Sequence, residues 1–463
     1  MGLRAGSARV DITPPLGTEL AGYFNVRRAT GVLDRIHGRA MVLEFDGERI
    51  AIVSADLCML SEGQVAEVRS RASRGTGIPE GNIMVTSTHI HTGPVTMGLL
   101  SGSVNSDYLE NLIESLAGVV VLANERLVDA EVACGRGSLP ELVFNRRYVM
   151  KDGSLRTNPG RGNPDILKAA GPTDPGVLAV HIKALSGKTL AILVNYANHV
   201  DVVGGTMISA DFPGVMAREI EAVIGEGTET LYLMGTSGNI NHIDVGRAAR
   251  SELRSEVLAT DPDAAIASLK GYDEAKRIGR MLAGEVLKTL GNAKPIPVSR
   301  LVVRKKSVEI KRRAASSEEL ARARELLGIH QGMKASELLG IDFTNDPLLV
   351  EKVYAREILL LDEDERKSDT LEFQVLAFGD VALSGIPAEA FVEIGLAIKQ
   401  GSPFPFTGVV TLANGAAGYI PMPWSFNEGG YEPRLARSSR LVPETAGIVI
   451  DACLGLLREA YRG

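Results

Sequence analysis

Residues 82–95 read NIMVTSTHIHTGPV. A β-branched run feeds a polar His-x-His cluster and closes on a Gly-Pro turn, the pattern of a buried strand delivering functional groups at its carboxyl end. On a strand, residues i and i+2 share a face, so His89 and His91 are expected to project together as metal ligands, an acid/base pair or a hydrogen-bonded edge. The same grammar recurs around it. Strands are predicted in RAMVLEFDG, RIAIVSADL, LAVHIKAL, LAILVNYANH and TLYLMGTSGN, and helices in EGQVAEVRSRAS, DYLENLIESLAGVVVLANERL and GVMAREIEAVIGE. Alternation of this kind predicts an α/β fold, mixed sheets flanked by helices. Several strands end in polar clusters (54–56, 88–92, 195–201, 236–241), and such ends converge on one crevice in open α/β sheets.

The chain has 463 residues, 45% hydrophobic and 23% charged, with a net charge of −7 and a pI near 5.7. That balance gives no basic footprint for nucleic acid. No run of eighteen apolar residues exists to insert in a membrane. Three cysteines, Cys58, Cys134 and Cys453, form neither a disulfide framework nor a CxxC zinc pair. MGLRAGSARV lacks the apolar core of a signal peptide, so the expected address is the cytoplasm. Residues 250–370 differ in texture and read as a mainly helical excursion: one amphipathic helix at 271–290, a β-rich SRLVVRKKSVEIK, and a helix opened by a Ser316–Glu319 capping box. Strand signals return after 369, and an amphipathic helix closes the chain. Nothing indicates the oligomeric state.

The ordered set ARVDITPPLGTELAGY, SADL, STHIHTGP, FNRR (144–147), NYANHV (195–200), GIPAE (385–389) and LANGAAGYIP…GGYE (412–432) resembles the neutral/alkaline non-lysosomal ceramidase family over nearly the whole chain. The resemblance implies that family's α/β catalytic domain as one unit over residues 1–463. It also implies a zinc ion held by His89, His199, Glu389 and Tyr419. His91 would then face the substrate or stand behind a ligand, with Arg146 and Tyr431 stabilising a developing oxyanion. Two imidazoles and a carboxylate suit Zn²⁺ and leave room for water or substrate. Each residue also has a plainer reading. Glu389 follows a proline and would serve a helix N-terminus. Tyr419 would pack, Arg146 would pair with a carboxylate, and Asp56 would cap a turn rather than orient a ligand histidine. His37, His181 and His330 read as structural.

The sequence departs from the resemblance at one chemical point. The family carries a serine within Gly-Asp-X-Ser-Pro-Asn, whereas this chain reads GTSGNINHIDV, with Asn241 in the serine's place. An amide is no nucleophile, so attack by metal-bound water is expected, with Asn241 holding the water or a polar substrate group. Ser237 is a distant substitute. His242, with Asp244, offers a second general base beside the favoured His91. The chain also ends soon after the tyrosine motif, where the resemblance implies an immunoglobulin-like domain. Polar candidates Asn145, Asp201, Asp211, Asn239 and Asn414 surround the expected site. The expected function is a zinc-dependent hydrolase cleaving an amide or ester in a small polar substrate other than ceramide. The alternatives are a metal-dependent enzyme cleaving or eliminating at a sugar-like substrate, and a non-catalytic metal-stabilised binding protein.

Overall fold

The computed structural model describes residues 2–160, 162–245, 271–330, 333–339 and 341–463. Its larger sheet contains β1 (Arg4–Asp11), β2 (His37–Phe45), β3 (Glu48–Ala55), β4 (Ile83–Ser87), β5 (Val128–Ser138), β6 (Gly176–Ala184), β7 (Thr189–Tyr196) and β8 (Glu229–Met234), in the spatial order β8-β7-β6-β5-β1-β2-β3-β4. Pairing is mixed: antiparallel through the middle, parallel where β3 meets β4 and β7 meets β8. The parallel pairs need crossovers, which α1 (Glu62–Thr76) and α3 (Asp211–Ile224) supply. Helix α1 begins at a Ser61–Gln64 capping box and stops at Gly77 in the left-handed conformation.

A second sheet stands behind the first. It runs β9 (Leu301–Lys311), β10 (Ser368–Phe378), β11 (Val381–Ile386), β12 (Phe406–Thr411). Side chains alternate across each strand, and the cores follow that alternation. Val42, Val53 and Val194 pack towards Val68 of α1, Leu116 of α2 (Ser106–Glu125) and Phe212 of α3. Their neighbours Met41, Leu43, Ile52 and Leu193 face the other way, onto Phe378, Leu383 and Val410 of the second sheet. Phe373, Val375 and Val409 then meet α7 (Val392–Gly401) and α8 (Thr445–Arg462). The result is a four-layer helix–sheet–sheet–helix stack, consistent with the expected mixed sheets flanked by helices.

The excursion is narrower than the texture of the sequence indicates. Residues 250–270 lie outside the described residues. Helix α4 (Tyr272–Gly291) packs Ile278, Leu282 and Val286 into the first core. The strand β9 pairs with β10 along its whole length, from Leu301↔Phe378 to Lys311↔Ser368. Its many charges disguise a sheet strand because one of its faces is exposed. Among the described residues, only α5 (Ser317–Leu327), the turn Ala335–Leu338 and α6 (Leu349–Glu363) leave the sheets, around a small core of Ala323, Ala355 and Leu359. The Ser316–Glu319 capping box is present.

The two halves of the chain are stitched at the point that matters for the site. Asn414, at φ +67, accepts from Val85 N (3.0 Å) with its side chain while its own N–H donates to Val85 O (2.7 Å). Its amide also donates to Gln374 (2.8 Å). Expected at the site's lining, Asn414 instead joins the sheets, fixing the strand that leads to His89 against the segment between Glu389 and Tyr419. Among the described residues, no helix is long and apolar enough to cross a membrane.

Candidate metal centre

Strand β4 ends at Ser87, two residues before the first histidine. The premise that strand alternation aligns His89 and His91 therefore fails, although the two rings do meet. Past the strand end, Thr88 N and His89 N donate to the carbonyls of Ala55 and Leu57 (2.8 Å each), bending the chain around the end of β3. His89 takes φ +71, an unusual conformation for a side chain other than glycine. The bend, rather than the pleat, aims the imidazole inward.

His199 lies three residues beyond β7. Asp211, at the head of α3, fixes its loop by accepting from Val202 N (2.9 Å) and Val203 N (2.8 Å), so this carboxylate is an anchor and not part of the site's lining. Glu389 begins a two-residue strand, Glu389–Ala390, that pairs in parallel with Tyr419–Ile420, so Glu389 and Tyr419 are cross-strand partners. Gly238 packs against this ladder: a Cβ there would lie 2.6 Å from the Glu389 carbonyl, so only glycine admits the loop.

These elements bring His89, His199 and Glu389 together. His89 Nε2 is 3.2 Å from His199 Nε2 and 3.1 Å from Glu389 Oε2, all three residues being buried. Each imidazole turns its other nitrogen to a backbone carbonyl, His89 Nδ1 to Cys58 O (2.9 Å) and His199 Nδ1 to Ser237 O (3.4 Å). With Nδ1 protonated, both Nε2 lone pairs point at one place, and Glu389 Oε2 has no hydrogen-bond partner there. Such a cluster of acceptors needs a cation or a proton at its centre. Two imidazoles and a carboxylate are the donors that zinc takes, so the residues fit the ion the sequence implied. Burial would lower His89, but the Glu389 carboxylate and Cys58 hold it well above the ordinary imidazole value. Burial and neighbouring His89 and Arg146 keep His199 well below it. Burial would raise Glu389, yet His89 keeps it below the usual carboxylate range.

Tyr419, the cross-strand partner of Glu389, accepts from Arg146 Nη2 at 3.2 Å. Arg146 also donates to Glu432 Oε1 (2.8 Å) and the Gly238 carbonyl (2.6 Å). This arginine thus pairs with a carboxylate and also reaches Tyr419. Tyr431 stacks edge-on against Tyr419 with ring centroids 5.5 Å apart, and burial pushes its hydroxyl above the ordinary phenol value.

His91 Nε2 lies 3.3 Å from His89 Nε2, on the open side of the cluster. Its Nδ1 is 3.8 Å from Asp201, which also accepts from the Tyr23 hydroxyl. Gly22, at φ +95, allows this approach, because a Cβ there would stand 2.5 Å from His91 Nδ1. A second metal-competent set, Cys58, His89 and His91, shares His89 with the first.

Four further candidates, Asn241, Asn239, Asn145 and Asp56, are engaged by the scaffold. Asn241 donates to Asn158 (2.7 Å) and accepts from Ile243 N (3.0 Å), so both ends of its amide close the loop instead of facing a substrate. Asn239 accepts from Val392 N (2.9 Å) at the start of α7, and Asn145 accepts from Arg147 N (3.0 Å). Buried His242 joins neither metal-competent set among the described residues. Asp56 receives His37 N and Arg39 Nη1 (2.9 Å each), the turn role rather than ligand orientation. Sequence reasoning missed Glu432 and Arg147. Fully buried Glu432 binds Arg146 and, through Oε2, Arg147 Nη1 (2.9 Å). The signal was present, since adjacent arginines beside a site need a buried counter-charge, but its partner lies 286 residues away.

Residues 3–245 match the sequence model of the neutral/alkaline non-lysosomal ceramidase N-terminal domain. A neutral ceramidase of Drosophila pseudoobscura pseudoobscura is 27% identical over 235 residues, 47% of this chain and 32% of the relative. Neutral ceramidase B of Dictyostelium discoideum is 24% identical over 240 residues, again 32% of its length. The chain thus covers about a third of these curated relatives. The crystal structure of neutral ceramidase from Pseudomonas aeruginosa superposes with a TM-score of 0.72 at 19% identity, covering 99% of this chain and 75% of that one.

Proposed function

Since the chain belongs to the neutral/alkaline non-lysosomal ceramidase family, we propose that it is a metal-dependent hydrolase of amide or ester bonds in a small polar substrate other than ceramide. The observation that carries this reading is the convergence of His89 Nε2, His199 Nε2 and Glu389 Oε2 with their outward nitrogens held by carbonyls. In the proposal these three residues and Tyr419 hold zinc. A zinc ion at this place would polarise a carbonyl and make a water molecule acidic enough to attack it near neutral pH.

The chain's own residues have the remaining tasks. His91 Nε2, on the open side, takes the proton from the attacking water and passes it to the leaving nitrogen or oxygen. Asp201 and Tyr23 hold the ring's far edge. Arg146 Nη2, steadied by Glu432, and the Tyr431 hydroxyl donate where negative charge develops on the carbonyl oxygen; a well-placed donor of this kind contributes about 3–4 kcal/mol. No serine hydroxyl is required, consistent with the committed amide of Asn241.

The test is turnover of amide, ester and glycoside panels by zinc-loaded protein. Amide or ester hydrolysis that falls with removal of zinc supports the reading. Glycoside turnover with amide and ester inactivity rejects it, and ligand binding without any turnover reduces the protein to a binding module.

A further inference from the structure

The excursion that leaves the sheets returns to grip one side of the metal pocket. Loop 97–101 forms that side, and Leu100 sits in it at φ +62, a strained position for leucine. Two adjacent residues of α6 hold it there. Glu357, fully buried, accepts from Leu100 N (3.2 Å), and Arg356 donates to Leu100 O. Arg437 then locks Glu357 from the far side through Nε (2.8 Å) and Nη2 (2.7 Å), and its Nη2 also reaches Gly98 O (2.7 Å). A loop backbone fixed by two arginines around a fully buried carboxylate is not free to swing away.

The wall so fixed is apolar. Met59, Met97, Leu99 and Leu100 line the same pocket as Glu389 and Tyr419. The pocket is partly open to solvent and its volume is about 40 Å³, roughly three water-sized groups. An amide with its carbonyl at the metal cluster must place its leaving nitrogen near His91, the proton carrier. Its acyl side then turns to the apolar wall.

We propose that loop 97–101, clamped by Arg356, Glu357 and Arg437, limits the substrate to a short acyl group of about two to four carbons, so that the protein hydrolyses short-chain N-acyl derivatives of polar amines. This rests on the hydrolase reading for the reaction, but not for the shape of the pocket. Leu100 is the specificity-determining residue and Met97 its neighbour in the wall.

Hydroxamic acids test the pocket without turnover, because the hydroxamate binds the metal and its acyl tail must enter the same space. Calorimetric titration of zinc-loaded protein with the aceto-, butyro-, octano- and palmitohydroxamates should give tightest binding at two to four carbons and at least tenfold weaker binding at eight. Leu100→Gly, which also relieves the strained φ, and separately Met97→Ala should each strengthen octanohydroxamate binding at least tenfold with zinc still bound one-for-one. Wild-type protein that binds the octano or palmito compound as tightly as the aceto compound overturns the inference. So does failure of both zinc-replete variants to move the limit. Release of amine from N-acetyl to N-palmitoyl glucosamine, measured in parallel, separates the two claims: a sharp length limit in binding with no amide turnover sinks the hydrolase reading and leaves the short-acyl pocket standing.

Discussion

The two sides of the metal pocket are built by different halves of the chain and held by different physics. The imidazole side comes from loops after β4 and β7, and each histidine is aimed by a backbone carbonyl, Cys58 O or Ser237 O. The oxygen side comes from the paired strands at Glu389 and Tyr419, and it is aimed by buried charge, Arg146 backed by Glu432. Carbonyls orient a neutral ligand without charging it, which suits imidazoles that must offer lone pairs. A guanidinium beside a carboxylate favours its anionic form and leaves one cationic edge for a developing oxyanion. Damage to the imidazole ligands should therefore cost the metal, and damage to the arginine behind the oxygen side should cost turnover with the metal in place.

The largest expected effect breaks the imidazole side. His199→Ala should lower zinc content well below one per chain, measured by elemental analysis, and reduce hydrolysis by about 10³-fold or more. A variant that keeps a full equivalent of tightly bound zinc removes His199 from the ligand set. Next comes the oxygen side. Arg146→Lys keeps the charge but loses the bond to Tyr419. It should retain zinc while kcat falls about 10²-fold and KM changes little. Loss of zinc from this variant would erase the contrast between the two sides.

Asp201→Asn sharpens the comparison at the rim. With the ring of His91 less firmly held, kcat/KM should drop about tenfold with no loss of metal; an unchanged rate would leave Asp201 without a role in the reaction. The smallest expected effect on chemistry lies in the support behind the oxygen side, where Asp369 pairs with Arg312 (2.6 Å) and Arg440 (2.7 Å). Burial alone would raise Asp369, but the two arginines overcome it and hold the carboxyl below the ordinary Asp value. A carboxylate depressed in the folded state stabilises the fold above its unfolded pKa, and that contribution disappears as pH falls through the folded one. Asp369→Asn should thus cost about 3 kcal/mol at neutral pH, with the difference from wild type shrinking below about pH 4. Denaturant melts at pH 7 and pH 3 measure it, and a pH-independent difference would show that the pairing is not its source.

Much of this architecture was legible in the sequence because strands, caps and polar strand ends are local signals. The Ser316–Glu319 box lies where its spacing placed it, and the polar clusters after β3, β4, β7 and β8 do meet around the histidines. The histidine pair was recognised for a reason that does not hold, since a bend at φ +71, set by carbonyls of a neighbouring strand, does the aiming. Polar residues grouped by proximity to the motifs were the weakest guide. Asn414, Asp211, Asn239 and Asn241 bind backbone, and the three amides also bind other scaffold side chains, which a list of side chains does not reveal. Glu432 illustrates the converse: a long-range ion pair is settled by packing, and sequence spacing carries no trace of it.

The central claim is that zinc lies among His89, His199, Glu389 and Tyr419, and the competing set is Cys58, His89 and His91. Zinc-edge X-ray absorption of the one-to-one complex separates them most directly. The account predicts only nitrogen and oxygen neighbours at about 2.0–2.1 Å, two of them imidazoles. A sulfur neighbour at about 2.3 Å would place the ion on Cys58 and contradict it.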